Sequence, residues 1–157
     1  MVQSGEHPPG PRSSDWETPD AVIEAMYDVI SVAPGEAVDW ERDRALFLPD
    51  VRRVRISTSP EGEVEVRNMA REDFVELAGP VLEQGFIEFE IGRTHERYGN
   101  IVQAFSAYEG RRTADGPAIT RGINSIQLVW DGSRWWVASL AWDQETADNP
   151  IPDRYLA

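Results

Sequence analysis

The sequence predicts an α+β domain, with helices first and an antiparallel sheet after them. Two observations carry this. Apolar residues recur at helical spacing in three stretches of the first half, whereas long strand-like runs separated by turn signals fill the chain from Phe86 onward. The second observation is Asp131-Gly132, a two-residue hairpin signal between two such runs, which makes the last strands antiparallel neighbours.

The first helix opens at Thr18, whose hydroxyl suits the capping position, and Pro19 and Asp20 suit its first turn. Val22, Met26, Val29, Ile30 and Ala33 follow at helical spacing, and Pro34-Gly35 ends the run. A short second helix is expected over 39–47, capped by Asp39 and burying Trp40, Leu46 and Phe47. Val51, Val54 and Ile56, then Val64 and Val66 beyond a Ser-Pro-Glu-Gly turn, read as a hairpin. A third helix follows Asn68 and buries Phe74, Leu77, Ala78, Val81 and Leu82. Pro80 is expected to kink or split it, and Gly85 to cap it. Strands are expected over 86–97, 101–112, 118–130 and 134–143, and the tail DNPIPDRYLA as an extended packed segment.

In the last two strands neither parity is clearly polar. Trp136, Ala138, Leu140 and Trp142 oppose Trp135, Val137, Ser139 and Ala141, and the preceding strand behaves alike. A sheet with one solvated face alternates cleanly, so both faces are expected to be covered. Helices cover one. A second copy of the chain is the simplest cover for the other, and a homodimer through the sheet face is expected.

Composition narrows the function classes. The chain has 157 residues, 41% of them apolar, with six tryptophans, which suits one aromatic-rich core. Residues 1–15 are rich in Gly, Pro and Ser and read as a disordered tail, in which His7 is inert; residues 16–157 form the single domain. The 28 acidic residues outnumber the 15 basic ones, giving a net charge of −13 that repels phosphate backbones, so nucleic acid is not an expected partner. Cysteine is absent, which excludes disulfides, a thiol nucleophile and thiolate metal sites. No apolar run approaches the roughly 20 residues that cross a bilayer, and the N-terminus lacks the apolar stretch of a secretory signal, so the expected location is the cytoplasm.

The stretches RYGNIVQAFSAYEGRR and ITRGINSIQLVWDGSRWWVASLAWDQE, the ending DNPIP and the earlier LFLPDVRRV resemble the nuclear-transport-factor-2-like superfamily. Within it the chain is most similar to bacterial SnoaL-like stand-alone proteins. The resemblance covers residues 18–152. It implies a cystatin-like cone, in which a strongly bent mixed or antiparallel sheet wraps about three N-terminal helices and leaves a pocket at the wide end. It also implies frequent sheet-to-sheet dimers. Members include ketosteroid isomerase, scytalone dehydratase and cyclases as well as binding and scaffold modules, so the fold does not choose a function.

The isomerase pattern places Arg55 where its carboxylate base should stand, and a guanidinium cannot accept the proton. Tyr27 matches the oxyanion-binding tyrosine of that pattern, and equally suits a core tyrosine with one hydrogen bond. Glu109, Asp143 and His95 are the remaining acid–base candidates. One histidine beyond the tail, without cysteine, argues against zinc, and no cofactor is expected. A polar set on the two middle strands, Ser106, Tyr108, Glu109, Arg111, Arg121, Asn124, Ser125 and Gln127, reads either as a ligand clamp or as a cross-strand ion network. Trp40, Trp136 and Trp142 read either as pocket walls or as core. The candidate pocket is Tyr27, Trp40, Phe47, Tyr108, Arg121, Asn124, Gln127, Trp136 and Trp142. Three functions fit: binding of a small apolar or mixed-polarity molecule, cofactor-free isomerase, dehydratase or cyclase chemistry, and a dimeric interaction module without ligand. A carboxylate aimed into a cavity with a hydrogen-bonding partner would favour the enzyme, and a wholly apolar lining the binder.

Overall fold

The computed structural model describes residues 9–156. Three helices, α1 (Pro19–Ile30), α2 (Trp40–Arg44) and α3 (Arg71–Leu82), accompany six strands: β1 (Arg53–Thr58), β2 (Val64–Met69), β3 (Ile87–Tyr98), β4 (Ile101–Arg111), β5 (Ala118–Trp130) and β6 (Trp135–Gln144). They form one curled, unclosed sheet in the order β2-β1-β6-β5-β4-β3. Every neighbouring pair is antiparallel except β1 and β6, which run parallel.

Local chemistry sets the helix starts. The Thr18 hydroxyl accepts the Ala21 N–H at 3.0 Å, so α1 begins where its cap stands. Asp39 accepts the Arg42 N–H at 3.0 Å with one oxygen and the Gly10 N–H at 2.9 Å with the other. Beyond α2 the chain unwinds, and Phe47 forms a parallel bridge to Val137 instead of a further helical turn. The helix α3 starts after Ala70, because Asn68 remains in β2, and it is not split at Pro80: only two residues follow before it ends. Its Leu77 and Val81 are exposed, contrary to the expected burial, since α3 presents only its Phe74, Ala78 and Leu82 stripe to the cavity beneath it.

The core lies between α1 and the concave face, where Val22, Ile23, Leu46, Ala104, Ile126, Leu128 and Val137 are almost fully buried. Residues 1–8, including His7, lie outside the described residues. The rest of the expected disordered stretch is attached to the domain. Ser13–Trp16 form a 3-10 turn whose Asp15 is buried and receives two hydrogen bonds from Arg42, at 2.8 and 3.0 Å.

Two features explain the apolar residues of both parities. The β5–β6 register shifts between Gln127 and Leu128: Gln127 pairs with Ser139, but Leu128 pairs with Val137. The extra residue, Ala138, reverses the faces, so Leu140 and Trp142 point inward with Val137 and Trp135, whereas Trp136 points outward. The second feature is the C-terminal segment, which covers part of the convex face. Ile151 is buried there, and the Tyr155 ring lies 5.6 Å from that of Phe105. This close approach depends on Gly92 at the β3 bulge, where a Cβ would stand 1.9 Å from the Tyr155 carbonyl oxygen. Gly92→Ala is therefore expected to lift the C-terminal segment and lower stability by about 1–3 kcal/mol, read from urea denaturation, with faster proteolysis after Thr146.

Candidate functional site

A cavity of about 200 Å³ opens between α1, α3 and the concave sheet. Helical spacing supplies one wall, since Met26 and Ile30 of α1 and Phe74, Ala78 and Leu82 of α3 each recur at one-turn intervals. The strands supply the other with Tyr108, Thr120, Asn124, Ile126, Leu140, Trp142 and Gln144, and Phe86 and Glu88 join them from the start of β3. At the helical end Asp43 and Arg53 form a buried bidentate pair, with contacts of 3.1 and 2.6 Å. The Arg53 guanidinium lies between the rings of Phe47 and Phe74, at 4.1 and 4.6 Å from their centroids.

The polar chemistry concentrates on Glu88, Asn124 and Tyr27. Burial pushes the Glu88 carboxyl up to about 7, while the Asn124 amide beside it acts in the opposite direction. Asn124 Nδ2 also donates to Tyr27 Oη at 3.0 Å. Tyr27 Oη and Ser106 Oγ lie 2.6 Å apart, and Ser106 Oγ in turn donates to the Glu90 carboxylate. A carboxylate only accepts, so the single serine proton belongs to Glu90, and Tyr27 must donate to Ser106. The chain continues from Glu90 to Arg93 at 2.8 Å and from Arg93 to Asp20 at the surface. Burial raises both the Tyr27 and Tyr108 phenols above their ordinary range. The Tyr108 hydroxyl has room because Gly122 faces it, where a Cβ would come within 2.6 Å of Oη.

Of the residues expected at a pocket, Tyr27, Phe47, Tyr108, Asn124 and Trp142 do line the cavity. Trp40 stands behind it, edge-on to Phe74 at 6.0 Å. Arg121, Gln127 and Trp136 are on the opposite side of the sheet. Arg121 pairs there with Glu145 at 3.1 Å and Glu109 at 3.6 Å, and Glu109 also holds Arg111. The clamp expected of these residues is thus a cross-strand ion network on the convex face. Gln127 accepts from Ser139 Oγ at 3.1 Å, and Trp136 donates to Asp131 at 2.8 Å while stacking on Arg134. Asp143 faces a convex-side hollow with Ile56 and Ile123. His95 is exposed in a separate shallow hollow with Pro19 and Ile23. None of the three expected acid–base candidates lines the cavity. Glu88 does, and reading it from sequence required recognising that the polar parity of the β3 start, Glu88 and Glu90, faces inward.

The fold is that of nuclear-transport-factor-2-like, cystatin-like proteins. A Nostoc punctiforme protein of unknown function with a cystatin-like fold matches with a TM-score of 0.60 at 10% identity, covering 80% of this chain and 87% of the other. A provisionally assigned calcium/calmodulin-dependent protein kinase type II association domain from Thiobacillus denitrificans matches with a TM-score of 0.58 at 12% identity, over 89% and 100%. A provisionally assigned ketosteroid isomerase from Parabacteroides distasonis matches with a TM-score of 0.53 at 9% identity, over 88% and 96%. No protein-family model and no curated protein matches the sequence. Among the described residues no cluster of three or more metal-ligating side chains occurs, and no helix is long and apolar enough to cross a membrane.

The raised Glu88 carboxyl has a stability consequence. The folded state keeps its proton up to about pH 7, whereas an unfolded glutamate loses it near pH 4.5. Stability from this residue is therefore present in acid and is lost as pH rises between those values. Glu88→Gln is expected to raise the melting temperature by a few degrees at pH 8 and to leave it nearly unchanged at pH 4, measured by calorimetry.

Proposed function

We propose that this protein binds a small, largely apolar molecule inside the cone. The observation that carries this reading is the cavity itself: aromatic and aliphatic walls converge on one polar end at Glu88 and Asn124, the usual composition of a small-molecule site. The second reading, cofactor-free isomerase, dehydratase or cyclase chemistry, is favoured by Glu88, a carboxyl poised near neutrality in a shielded place. The neighbouring donors weigh against it. Enolisation requires a free donor for the developing oxyanion, and the Tyr27 proton is committed to Ser106 while an Asn124 N–H is committed to Tyr27. Binding is the better-supported function.

We also propose a homodimer through the convex face. Phe89, Ile101, Phe105 and Ile119 all face that side and are between 36% and 51% exposed, which is a large apolar investment for a solvated surface. The chain is expected at twice 17.7 kDa in light scattering; a mass that stays at 17.7 kDa across a concentration series refutes the dimer.

Native mass spectrometry is expected to detect a copurifying small molecule. Ala78→Phe, which projects a ring into the cavity from α3, is expected to abolish its retention while the far-ultraviolet circular dichroism is unchanged. Absence of any bound molecule, with no melting shift from an apolar fluorescent probe, refutes the binding reading.

A further inference from the structure

The charges around the cavity are unequally matched. Arg53 gives both of its terminal nitrogens to Asp43, and Glu90 is held by Arg93 and Ser106. Glu88 has no such cation. Its neighbours across the ladder are Gly110 and, beyond that, Thr120, so the strand beside it offers no charged side chain, and the Phe86 ring and the Thr120 methyl fill the space over Gly110. A carboxylate withdrawn from water without a counter-ion is unfavourable, and it is relieved either by protonation or by a cation brought in from outside.

Hydrogen-bond direction favours the second. Because the Ser106 proton goes to Glu90, the Tyr27 proton goes to Ser106, and Tyr27 presents only oxygen lone pairs elsewhere. Glu88 likewise accepts when ionised. Tyr27 and Glu88 thus offer acceptors at the polar end of the cavity, beside the hydroxyls of Tyr108 and Thr120 and the amides of Asn124 and Gln144, and a guest that supplies donors and positive charge complements the two acceptors. The aromatic walls act in the same sense, since the faces of Phe47 and Phe74 already hold the Arg53 guanidinium, and the rings of Trp142 and Phe86 line the same space. A net charge of −13 further raises the local concentration of cations at the surface.

We propose that the cavity binds a small apolar amine in its ammonium form, with the Glu88 carboxylate as its counter-ion and the aromatic walls around its apolar body. This rests on the binding reading above and names its ligand class.

The pH dependence has a definite sign. The groups around Glu88 are Tyr27 from α1, Asp43 from α2, Arg53 from β1, Glu90 on its own strand, Tyr108 from β4, Thr120 and Asn124 from β5, and Gln144 from β6; Arg55 and Asp143 act on Tyr108 in opposite senses. Asp43 and Arg53 neutralise one another, and burial holds the phenols protonated, so Glu88 is the group that changes charge near neutrality. An ammonium guest requires the ionised carboxylate, so its affinity falls in acid.

The test is isothermal titration calorimetry of the full chain with three probes of similar shape: 2-phenylethylamine, 2-phenylethanol and 3-phenylpropionate. At pH 8 the amine is expected to bind about tenfold more tightly than the alcohol, the ordinary gain of a charge-assisted hydrogen bond over a neutral one. On acidification to pH 6 the amine is expected to lose about tenfold in affinity as Glu88 takes up its proton, and the alcohol to change little. Glu88→Gln is expected to bring amine and alcohol to the same affinity. The comparison between pH 8 and pH 6 on the unmodified protein does not depend on that variant folding. The amine proposal is overturned if the alcohol or the carboxylate binds better, if acidification leaves the amine unaffected, or if Glu88→Gln retains the amine preference. In each case binding in the cone stands. If none of the three probes binds, the amine proposal fails and the binding reading loses its support with it.

Discussion

The buried ion pair between Asp43 and Arg53 is the constraint on which the helical end of the cavity depends. It joins α2 to β1 at the helical end of the cavity, and the Phe74 ring of α3 packs on the same guanidinium, so one arginine locates three elements. Leaving either charge unpaired in that position costs about 3–5 kcal/mol, which keeps the helices from drifting over the sheet. The chemistry also suits arginine alone. Its flat guanidinium can be gripped edge-on by a carboxylate while both faces stack on aromatic rings, an arrangement closed to lysine. All 15 basic residues of this chain are arginines, and Arg42, with Asp15 and Asp28, repeats the device where α1, α2 and the N-terminal turn meet.

The second organising feature is the run of hydrogen bonds from Asn124 through Tyr27, Ser106 and Glu90 to Arg93. Its value lies in having one permitted direction. A chain ending on an ionised carboxylate fixes every proton upstream, and so determines what the cavity can offer a guest. Tyr27 spends its one proton on Ser106 and thereby presents only an acceptor to the cavity.

Much of the fold was legible from local chemistry, because turn residues and hydrophobic period act over a few residues. Thr18 and Asp39 lie where expected, Asp131-Gly132 falls in the expected turn although that turn has four residues and not two, and the long strands run within a residue or so of their anticipated limits. The site was legible only in part. Tyr27, Tyr108 and Asn124 could be placed because the helical spacing around the first and the strand alternation around the other two are locally unbroken. Trp136 and Trp142 share a parity in sequence yet face opposite ways, since the extra residue Ala138 reverses β6 midway. No composition signal marks such a bulge. The same limitation hid Glu88: a glutamate in a strand is ordinarily solvated, and only the curl of the sheet turns this one inward. The expectation that both faces are covered, one by helices and the other by a second copy, rested in part on a misreading of that reversal. The chain itself covers some of the remainder with its C-terminal segment.

The parallel pairing of β1 with β6 has a consequence for how the molecule comes into being. β1 and β2 form a local hairpin early in the chain, but their only other sheet neighbour is the last strand to be made. During synthesis the hairpin must wait, with the β1 edge unpaired, until β6 leaves the ribosome. The meander from β3 to β6 needs no such partner and can assemble in order as it emerges. Completing the sheet is thus a closure event in which β1, from the first half of the sequence, meets β6. Non-local closure of this kind is slow and leaves an unpaired edge open to other chains in the interval.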